Sequence, residues 1–303
     1  VKTNMPTAVA EHLQTLEEQG ATIVYGNNAA TLSSISAPTE DIRKELGLRM
    51  IRRKNESGYH YFIANLTAND IHERVQMAVT FNDAKWHNPL NGDIEDASFD
   101  NNCIDICLRS GESMILQTYD NGTGSHAAPT TDGVKWNDIV IDTPWALSFI
   151  EEAPKVGKTY QMSKLQTWET LDEQTKVTMG TGVYTTKFKL SKKDDSKGPW
   201  LIDLGDVRES ARVYINGQFI GCAWSVPYIL DTKGTLKKGE NELRIEVTNL
   251  PANRISELDR QGVKWRKMEE INVVDINYKK TLYDQWEPMP SGLNSTIKLI
   301  KKQ

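Results

Sequence analysis

Polar and apolar residues alternate most regularly in the second half of the chain. Residues 212–215 alternate with a period of two, Asn216-Gly217 follows, and residues 219–221 resume the alternation before it returns at residues 243–247. A period of two places successive side chains on opposite faces of a strand, and Asn-Gly supplies the two positive-φ residues of a tight hairpin turn. The pattern predicts consecutive antiparallel strands of a β-sandwich.

The first residues of the chain follow a different period. Apolar residues recur at helical spacing within residues 6–19, a short apolar run at residues 21–26 comes next, and a second helix is predicted over residues 39–46. A helix followed by a buried strand is one unit of an α/β domain, and a single unit cannot form a parallel sheet that is covered on both faces. We therefore expect residues 1–47 to be the terminal fragment of an α/β domain.

Strand signals at regular intervals fill residues 48–119, with turns of Asn, Gly, Asp and Ser between them. The predicted strands are residues 59–66, 75–81, 104–108 and 114–119. This spacing is typical of a small antiparallel sandwich. Residues 120–143 are rich in Gly, Thr and Asp and are interpreted as a linker or long loop, and a larger sandwich is predicted for residues 144–303. The expected fold is therefore mainly β, with two β-sandwich domains preceded by a short α/β segment.

The composition argues against two classes of partner. The 303 residues have a formal net charge of −5, with 38% hydrophobic and 25% charged residues. A nucleic-acid partner normally requires a concentrated basic surface, so no nucleic acid is expected. No apolar run approaches the roughly 20 residues that a membrane-spanning helix needs, so no membrane insertion is expected.

Three cysteines, Cys103, Cys107 and Cys222, form an odd set without Cys-x-x-Cys spacing. They do not predict a disulfide framework, and they do not indicate a redox compartment. Cys103 and Cys107 lie on one face of a predicted strand, about 13 Å apart and too far to bridge each other. We interpret both as buried small apolar residues.

Four motifs between residues 203 and 249 carry a resemblance to a known family. They are DLG, VRESARVYINGQFIG, PYILD and LKKGENELRIEVTN, in that order. This order resembles the sugar-binding jelly roll of family 2 glycoside hydrolases, and more nearly the C-terminal jelly roll of family 106, the α-L-rhamnosidases. The similarity extends over residues 144–149, 165–168, 182–188 and 290–293, and more weakly over residues 30–120.

The resemblance implies a role beside a catalytic domain rather than in catalysis. Glycosidases need two carboxyl groups that face each other across the glycosidic bond, and in this family they belong to an upstream barrel. The paired acids of this chain, Glu151-Glu152, Asp194-Asp195 and Glu269-Glu270, are consecutive and would point to different sides of a helix or strand. We therefore assign no catalytic residue and expect no hydrolytic activity from the chain alone.

The expected function follows from this resemblance. The chain would be the non-catalytic C-terminal accessory region of a secreted or periplasmic glycoside hydrolase, α-L-rhamnosidase-like and acting on plant polysaccharide. Its partners would be the upstream catalytic domain of the same polypeptide and carbohydrate. The chain begins at Val1 without the basic and apolar regions of a signal peptide, which favours a processed or excised piece.

Carbohydrate contact is expected in the loops of the jelly roll, where aromatic faces and planar polar groups concentrate. The candidate residues are Trp224, Tyr228, Asn253, Arg254, Trp265, Tyr283 and Trp286. Each has an alternative interpretation, because the first two could anchor a loop to the sheet, the next two could tie a strand end, and the others could contact a barrel. By contrast, Trp145, Trp168 and Trp200 are expected in the sandwich core.

No cofactor is predicted from the motifs. The histidines and cysteines lack metal-ligand spacing, and the sequence contains no P-loop and no dinucleotide fingerprint. Asp203, Asp206 and Asp231 could supply oxygens to a structural calcium ion, although their spacing matches no dedicated calcium loop.

Three alternatives remain open. The chain could be an independent carbohydrate-binding module, which would bind sugar in isolation. It could instead be the accessory region of a family 2-like β-glycosidase, or a purely structural spacer. An exposed apolar patch would favour packing against another domain over independent sugar binding.

Overall fold

The computed structural model describes residues 5–24, 42–122, 137–191, 200–267 and 281–301, together with the single residues 40, 196, 198, 277 and 279. The chain divides into two compact units, Val1–Thr131 and Asp132–Gln303. Both are built mainly from antiparallel strands, which confirms the predicted mainly β fold with two sandwiches. Within the described residues, no helix has the length and apolar character needed to cross a membrane.

The described residues of the first unit form two helices and eight strands. Helix α1 is Thr7–Glu18 and helix α2 is Ile42–Leu46. The strands are β1 (Arg49–Lys54), β2 (Gly58–Ala64), β3 (Ile71–Gln76), β4 (Asp83–His87), β5 (Ile94–Asp96), β6 (Phe99–Asp100), β7 (Cys103–Leu108) and β8 (Ser113–Tyr119). A five-stranded sheet has the order β1-β2-β8-β4-β5, and a three-stranded sheet has the order β3-β7-β6.

The two sheets of this unit enclose one core. Tyr61 and Ile63 point inward from β2, and Ile104 and Ile106 point inward from β7, so that all four are buried in the same cluster. Such a face-to-face arrangement of alternating strands defines a sandwich.

The outer face of the five-stranded sheet carries a transverse row of residues that we call the apolar row: Ile51, Phe62, Ile115, His87 and Ile94. Each residue pairs directly with the next one in register, so all five side chains lie on one face. The two isoleucines at the ends and Phe62 are exposed. The sheet therefore presents a stripe across its width that is apolar except for the half-buried His87.

Two predicted strands of the first unit are wrong over much of their length. Residues 21–24 form no strand, and residues 25 and 26 lie outside the described part; a strand requires a neighbour to pair with, and the described residues offer none there. The strand predicted at residues 75–81 ends at Gln76. Its remaining residues form a loop whose Met77 and Phe81 are buried, and Asn102 accepts hydrogen bonds from their backbone N–H groups.

The cysteines of β7 are not buried, contrary to the sequence interpretation. Ile104, Ile106 and Leu108 occupy the inward positions of β7, and the period of two turns Cys103 and Cys107 outward. Cys103 is half-buried, Cys107 is exposed, and all three cysteines of the chain, including Cys222, are free thiols.

The second unit is a jelly roll of twelve strands within the described residues. The strands are β9 (Asn137–Val140), β10 (Trp145–Ala153), β11 (Tyr160–Met162), β12 (Met179–Leu190), β13 (Trp200–Asp203), β14 (Val207–Arg208), β15 (Ser210–Ile215), β16 (Gln218–Ala223), β17 (Ile229–Asp231), β18 (Gly239–Thr248), β19 (Gly292–Leu293) and β20 (Lys298–Lys301). Their sheets have the orders β11-β10-β12-β18-β15-β16, β17-β13-β20-β9 and β14-β19.

Local sequence accounts for much of this unit. The hairpin between β15 and β16 turns at Asn216 and Gly217, whose φ angles are 52° and 78°, as the Asn-Gly pair predicts. Trp145, Trp168 and Trp200 are buried in the core, which confirms their predicted role.

Three elements of the second unit were not predicted. Strand β9 lies within the range interpreted as a linker and pairs with β20 at the end of the chain, a partner that only the tertiary structure supplies. Helix α3 (Glu173–Lys176) and helix α4 (Ala252–Arg260) also interrupt the strands. The sequence predicted no helix at residues 252–260.

Candidate functional site

Helix α4 packs along the segment that leads back to the sandwich, residues 281–291, which we call the return segment. The side-chain amide of Asn253 donates to the carbonyl of Met289, and its oxygen accepts from the N–H of Met289, both at 2.8 Å. At the other end of α4, Arg260 donates to the carbonyls of Asp284 at 2.9 Å and Trp286 at 2.7 Å. The helix is thus joined to the return segment at both ends.

Three of the aromatic residues predicted to contact carbohydrate form one cluster, which we call the aromatic cluster: Trp265, Tyr283 and Trp286. The ring centroids of Trp265 and Tyr283 are 5.9 Å apart, and those of Tyr283 and Trp286 are 4.5 Å apart at an interplanar angle of 71°. This edge-to-face geometry is favourable for aromatic pairs. The sequence prediction therefore named residues that the structure brings together.

Polar groups hold the aromatic cluster in place. Asp259 accepts hydrogen bonds from the indole nitrogen of Trp265 at 2.6 Å and from the N–H of Tyr283 at 3.1 Å. The guanidinium carbon of Arg266 lies 5.2 Å from the centroid of Trp265 and 4.9 Å from that of Tyr283, within range for a cation–π interaction. Trp265 and Tyr283 are half-buried, whereas Trp286 remains 41% exposed.

A narrow crevice opens beside Trp286, between α4, the end of α3 and the return segment. Its lining consists of Lys176, Val177, Asn253, Ser256, Arg260, Trp286 and Pro288. The hydroxyl of Ser256 is buried, and no hydrogen-bond partner for it exists among the described residues. Buried hydroxyls are normally hydrogen-bonded, so this group is an unusual feature of the crevice.

Trp224 and Tyr228 occupy a second location, in the loop after β16. Trp224 is 59% exposed, whereas Tyr228 is half-buried and packs against the sandwich core. Burial raises the pKa of Tyr228, and the charge of Glu209 adds to the rise while Arg208 opposes it. The phenol therefore stays protonated near neutral pH.

Asp206 and Arg208 form an ion pair beside this second location. The carboxylate of Asp206 lies 2.6 Å from Nε of Arg208 and accepts a hydrogen bond from the amide of Asn294 at 3.1 Å. Burial alone would raise the pKa of Asp206, but these partners hold it below its usual range. The pair is an anchor between loops, and it leaves Trp224 as the exposed group there.

Arg254 lies on α4 and is half-buried. In the part of the chain that the structure describes, it makes no hydrogen bond or ion pair. Asn253, by contrast, uses its amide to bind Met289, in line with the alternative interpretation that it ties a strand end.

Sequence reasoning missed several polar residues of the site, among them Lys176, Ser256, Asp259 and Arg260. The positions of Asn253, Ser256 and Arg260, three and then four residues apart, are a helical spacing that could have indicated one face of a helix.

The three aspartates considered for calcium do not converge. Asp203 accepts from the N–H of Gly205 at 2.8 Å, Asp231 accepts from that of Lys233 at 2.6 Å, and Asp206 pairs with Arg208. Among the described residues, no group of three or more His, Cys, Asp or Glu side chains could hold a metal ion. Each carboxylate instead stabilises its own turn or ion pair.

Comparison with known proteins shows that part of the chain matches a family model. Residues 165–289 match the model of the glycosyl hydrolase 2 galactose-binding domain-like family. This match confirms the resemblance that the motifs carry, and the matched range contains α4, the aromatic cluster and the crevice lining.

Two larger proteins are similar to most of the chain. A protein of Formosa agariphila named as a beta-glucuronidase is 28% identical over 235 residues, which cover 70% of this chain and 20% of that protein. The solved structure of a rhamnosidase from Novosphingobium sp. PP1Y superposes with a TM-score of 0.66 at 22% identity, over 84% of this chain and 24% of that one. At this identity the superposition shows a shared fold. The chain spans about a fifth to a quarter of the length of these proteins.

Proposed function

We propose that the chain is a non-catalytic accessory region of a longer, secreted glycoside hydrolase, and that its jelly roll contacts saccharide at Trp286. The observation that carries this proposal is the exposed indole of Trp286 beside a crevice with polar lining. Saccharide sites combine an apolar platform with a few fixed polar groups, which is the arrangement found here. The names of the relatives, a beta-glucuronidase and a rhamnosidase, support a role in glycoside hydrolysis.

The indole of Trp286 is held in position before any ligand arrives. Tyr283 packs edge-to-face against it, and Arg260 donates a hydrogen bond to its backbone carbonyl. A platform that is already ordered loses less side-chain entropy on binding, so more of the stacking energy contributes to affinity.

The apolar row supports the accessory role. Phe62 is 43% exposed, and Ile51 and Ile94 lie exposed at the two ends of the row. An apolar stripe across a whole sheet is typical of a surface that packs against another folded domain. In the longer protein we expect the catalytic domain or a neighbouring domain to cover it.

Among the described residues, this proposal assigns no pair of carboxylates as acid and base. Glu151 and Glu152 are neighbours on β10, and the pairs at residues 194–195 and 269–270 lie outside the described residues. Glu151 has a φ of 53° at a break in the register of β10, so the two side chains do not follow the alternation of a regular strand, and we assign neither a role in acid–base catalysis. We expect the chain alone to hydrolyse no nitrophenyl glycoside.

Titration followed by nuclear magnetic resonance tests the saccharide contact. The chain has eight tryptophans, whose indole N–H resonances can be assigned by single substitutions. Methyl α-L-rhamnoside, methyl β-D-galactoside, methyl β-D-glucoside and methyl β-D-glucuronide would be added in turn. We expect at least one of them to shift the Trp286 resonance, and Trp286→Ala to weaken that binding by about tenfold or more.

Two matched variants sharpen this test. Phe62→Ala removes an aromatic ring of similar exposure from the other unit and should leave affinity unchanged. Trp224→Ala tests the second candidate location, which is favoured only by the exposure of its indole. If no saccharide shifts any indole resonance, the proposed carbohydrate contact is wrong and the packing role alone remains. If Trp224→Ala and not Trp286→Ala abolishes binding, the site lies after β16.

A further inference from the structure

We propose that the crevice beside Trp286 selects saccharides that carry an anionic group, a carboxylate or a sulfate. The sugar ring stacks on the indole, and the anionic group enters the crevice between Lys176 and Arg260. This inference rests on the proposed saccharide contact at Trp286 and adds the class of ligand.

The charge of the crevice lining is the first observation. Lys176 and Arg260 both line it, and no carboxylate of the described residues does so. The cations are only loosely neutralised: Lys176 lies 3.4 Å from a carboxylate of Glu173, which is 92% exposed, and Nη1 of Arg260 lies 3.6 Å from Glu257. An exposed or distant counterion contributes little, so both side chains keep a positive charge that can attract an anion. Arg260 contributes this charge while its Nε and Nη2 donate to the carbonyls of Asp284 and Trp286.

Ion pairs elsewhere on the same chain are tighter. Lys187 lies 3.0 Å from Glu240, and Lys85 lies 2.6 Å from Asp96. In addition, Glu257 accepts a hydrogen bond from Gln261 at 2.6 Å, which draws its carboxylate toward another donor. The loose pairing at the crevice is therefore a local feature and not a general property of this surface.

Hydrogen-bond donors in the crevice suit an acceptor-only ligand. Lys176 has N–H groups that are not used in its one long ion pair. Ser256 is 3% exposed, and its hydroxyl has no hydrogen-bond partner among the described residues. A carboxylate or sulfate accepts from such groups with charge-assisted hydrogen bonds, which are about twice as strong as neutral ones. A neutral sugar hydroxyl carries no charge of its own, so it lacks the attraction between opposite charges that an anion gains from Lys176.

The shape of the crevice agrees with a sugar ring that stacks on Trp286 and an anionic group that lies between the two cations. The crevice has room for little more than one oxygen atom, so the sugar ring stays outside, against Trp286, and one oxygen of the anionic group reaches in. Asn253 lines the wall but already binds Met289 through both ends of its amide, so its role is to shape the crevice.

Matched ligands test the preference directly. Methyl β-D-glucuronide and methyl β-D-glucoside differ only in having a carboxylate or a hydroxymethyl group at one ring carbon, and methyl β-D-glucoside 6-sulfate carries a sulfate on the oxygen of that hydroxymethyl group. We expect the carboxylated or the sulfated sugar to bind at least about tenfold more tightly than the neutral glucoside, read from the Trp286 indole resonance. The two anionic ligands distinguish a carboxylate from a sulfate preference.

Substitutions at Lys176 assign the preference to the crevice. Lys176→Gln should lower the ratio of anionic to neutral affinity severalfold, and Lys176→Arg should preserve that ratio. Lys187→Gln changes the net charge equally at a distant pair and should have no effect. Raising the salt concentration from about 0.05 M to about 1 M should shrink the preference, because the charges are near solvent.

The outcomes separate this inference from the proposed function. Binding of neutral and anionic sugars with equal affinity, still lost in Trp286→Ala, would overturn the anionic preference and leave the saccharide contact standing. A preference that Lys176→Gln and Lys187→Gln reduce equally would place it in the overall charge and not in the crevice. Absence of any binding would overturn both.

Discussion

The indole nitrogen of Trp168 donates a 2.7 Å hydrogen bond to the phenol oxygen of Tyr184, and both side chains are fully buried. The same oxygen accepts the N–H of Leu293 at 3.1 Å. Burial raises the pKa of Tyr184 well above its usual range, so the phenol is neutral near neutral pH. This junction fixes the point at which the chain re-enters the sandwich after the return segment.

Tyr184→Phe should destabilise the second unit strongly. The substitution keeps the ring but leaves the indole N–H of Trp168 and the N–H of Leu293 buried without their acceptor, at a cost of about 1–3 kcal/mol for each donor. Urea unfolding monitored by tryptophan fluorescence measures the change. Tyr214→Phe is the control, since its hydroxyl makes no hydrogen bond in the described part of the chain. Equal stability of the two variants would contradict the importance of this junction.

Gly292→Ala should be more damaging than its left-handed backbone alone requires. Gly292 has a φ of 90°, and an added Cβ would overlap the indole nitrogen of Trp168 and the phenol oxygen of Tyr184. Gly234 has a φ of 68° with no atom within 4 Å of such a Cβ, so Gly234→Ala isolates the backbone strain, about 1 kcal/mol. We expect Gly292→Ala to cost at least about 3 kcal/mol in unfolding free energy. If the two substitutions lower the unfolding free energy equally, the prediction of close packing around Gly292 is wrong.

Asp172 links the start of α3 to β11 through its two carboxylate oxygens. One oxygen accepts from the N–H groups of Gln174 and Thr175, and the other accepts from the hydroxyl of Tyr160 at 2.6 Å and lies 2.7 Å from the ammonium of Lys158. Burial alone would raise the pKa of Asp172, but the hydrogen bonds from Lys158, Tyr160 and Thr175 outweigh it and hold the pKa well below its usual range.

This depressed pKa predicts a dependence of stability on pH. A carboxyl group whose pKa is lower in the folded state contributes stability above its unfolded pKa of about 3.9, and the contribution is lost as the pH falls toward the folded value. Asp172→Asn keeps the helix cap but removes the charge, so the variant should be less stable than the parent by about 1 kcal/mol above pH 5, with the difference shrinking below pH 4. Urea unfolding across this pH range is the measurement. A difference that stays constant down to about pH 2 would show that the charge is not responsible.

Sequence reasoning succeeded where the structure depends on neighbouring residues and failed where it depends on distant ones. The turn at Asn216-Gly217 follows from local φ preferences, and the buried Trp168 follows from its place in a recognised motif. Strand β9 could not be predicted, because β20, the strand with which it pairs, lies at the far end of the chain. The crevice combines Lys176 with the face of α4 for the same reason, so no local pattern indicates it.

Removal of metal ions should leave the described fold unchanged. Asp203, Asp206 and Asp231 each bind a nearby backbone N–H or an arginine rather than one another. We expect the melting temperature to be the same with and without excess EDTA. A decrease in melting temperature with EDTA that is reversed by added Ca²⁺ would contradict this expectation and would indicate a structural cation.

The amide of Asn253 should control the local stability of the return segment. Its two 2.8 Å hydrogen bonds to Met289 are lost in Asn253→Ala, at a cost of about 1–3 kcal/mol for the groups left unpaired. Because the loss acts on one segment, the amide hydrogen of Met289 should exchange with solvent about tenfold faster or more, while amides of β12 and β18 change little.

The neighbouring residue provides the control for this prediction. Arg254→Ala truncates a longer side chain on the same helix, one that makes no hydrogen bond in the described residues, and Met289 exchange should stay as in the parent. If Asn253→Ala weakens saccharide binding without accelerating Met289 exchange, then Asn253 contacts the ligand directly. If it does both, the loss of affinity follows from the loosened return segment, because Trp286 lies on that segment and depends on its position.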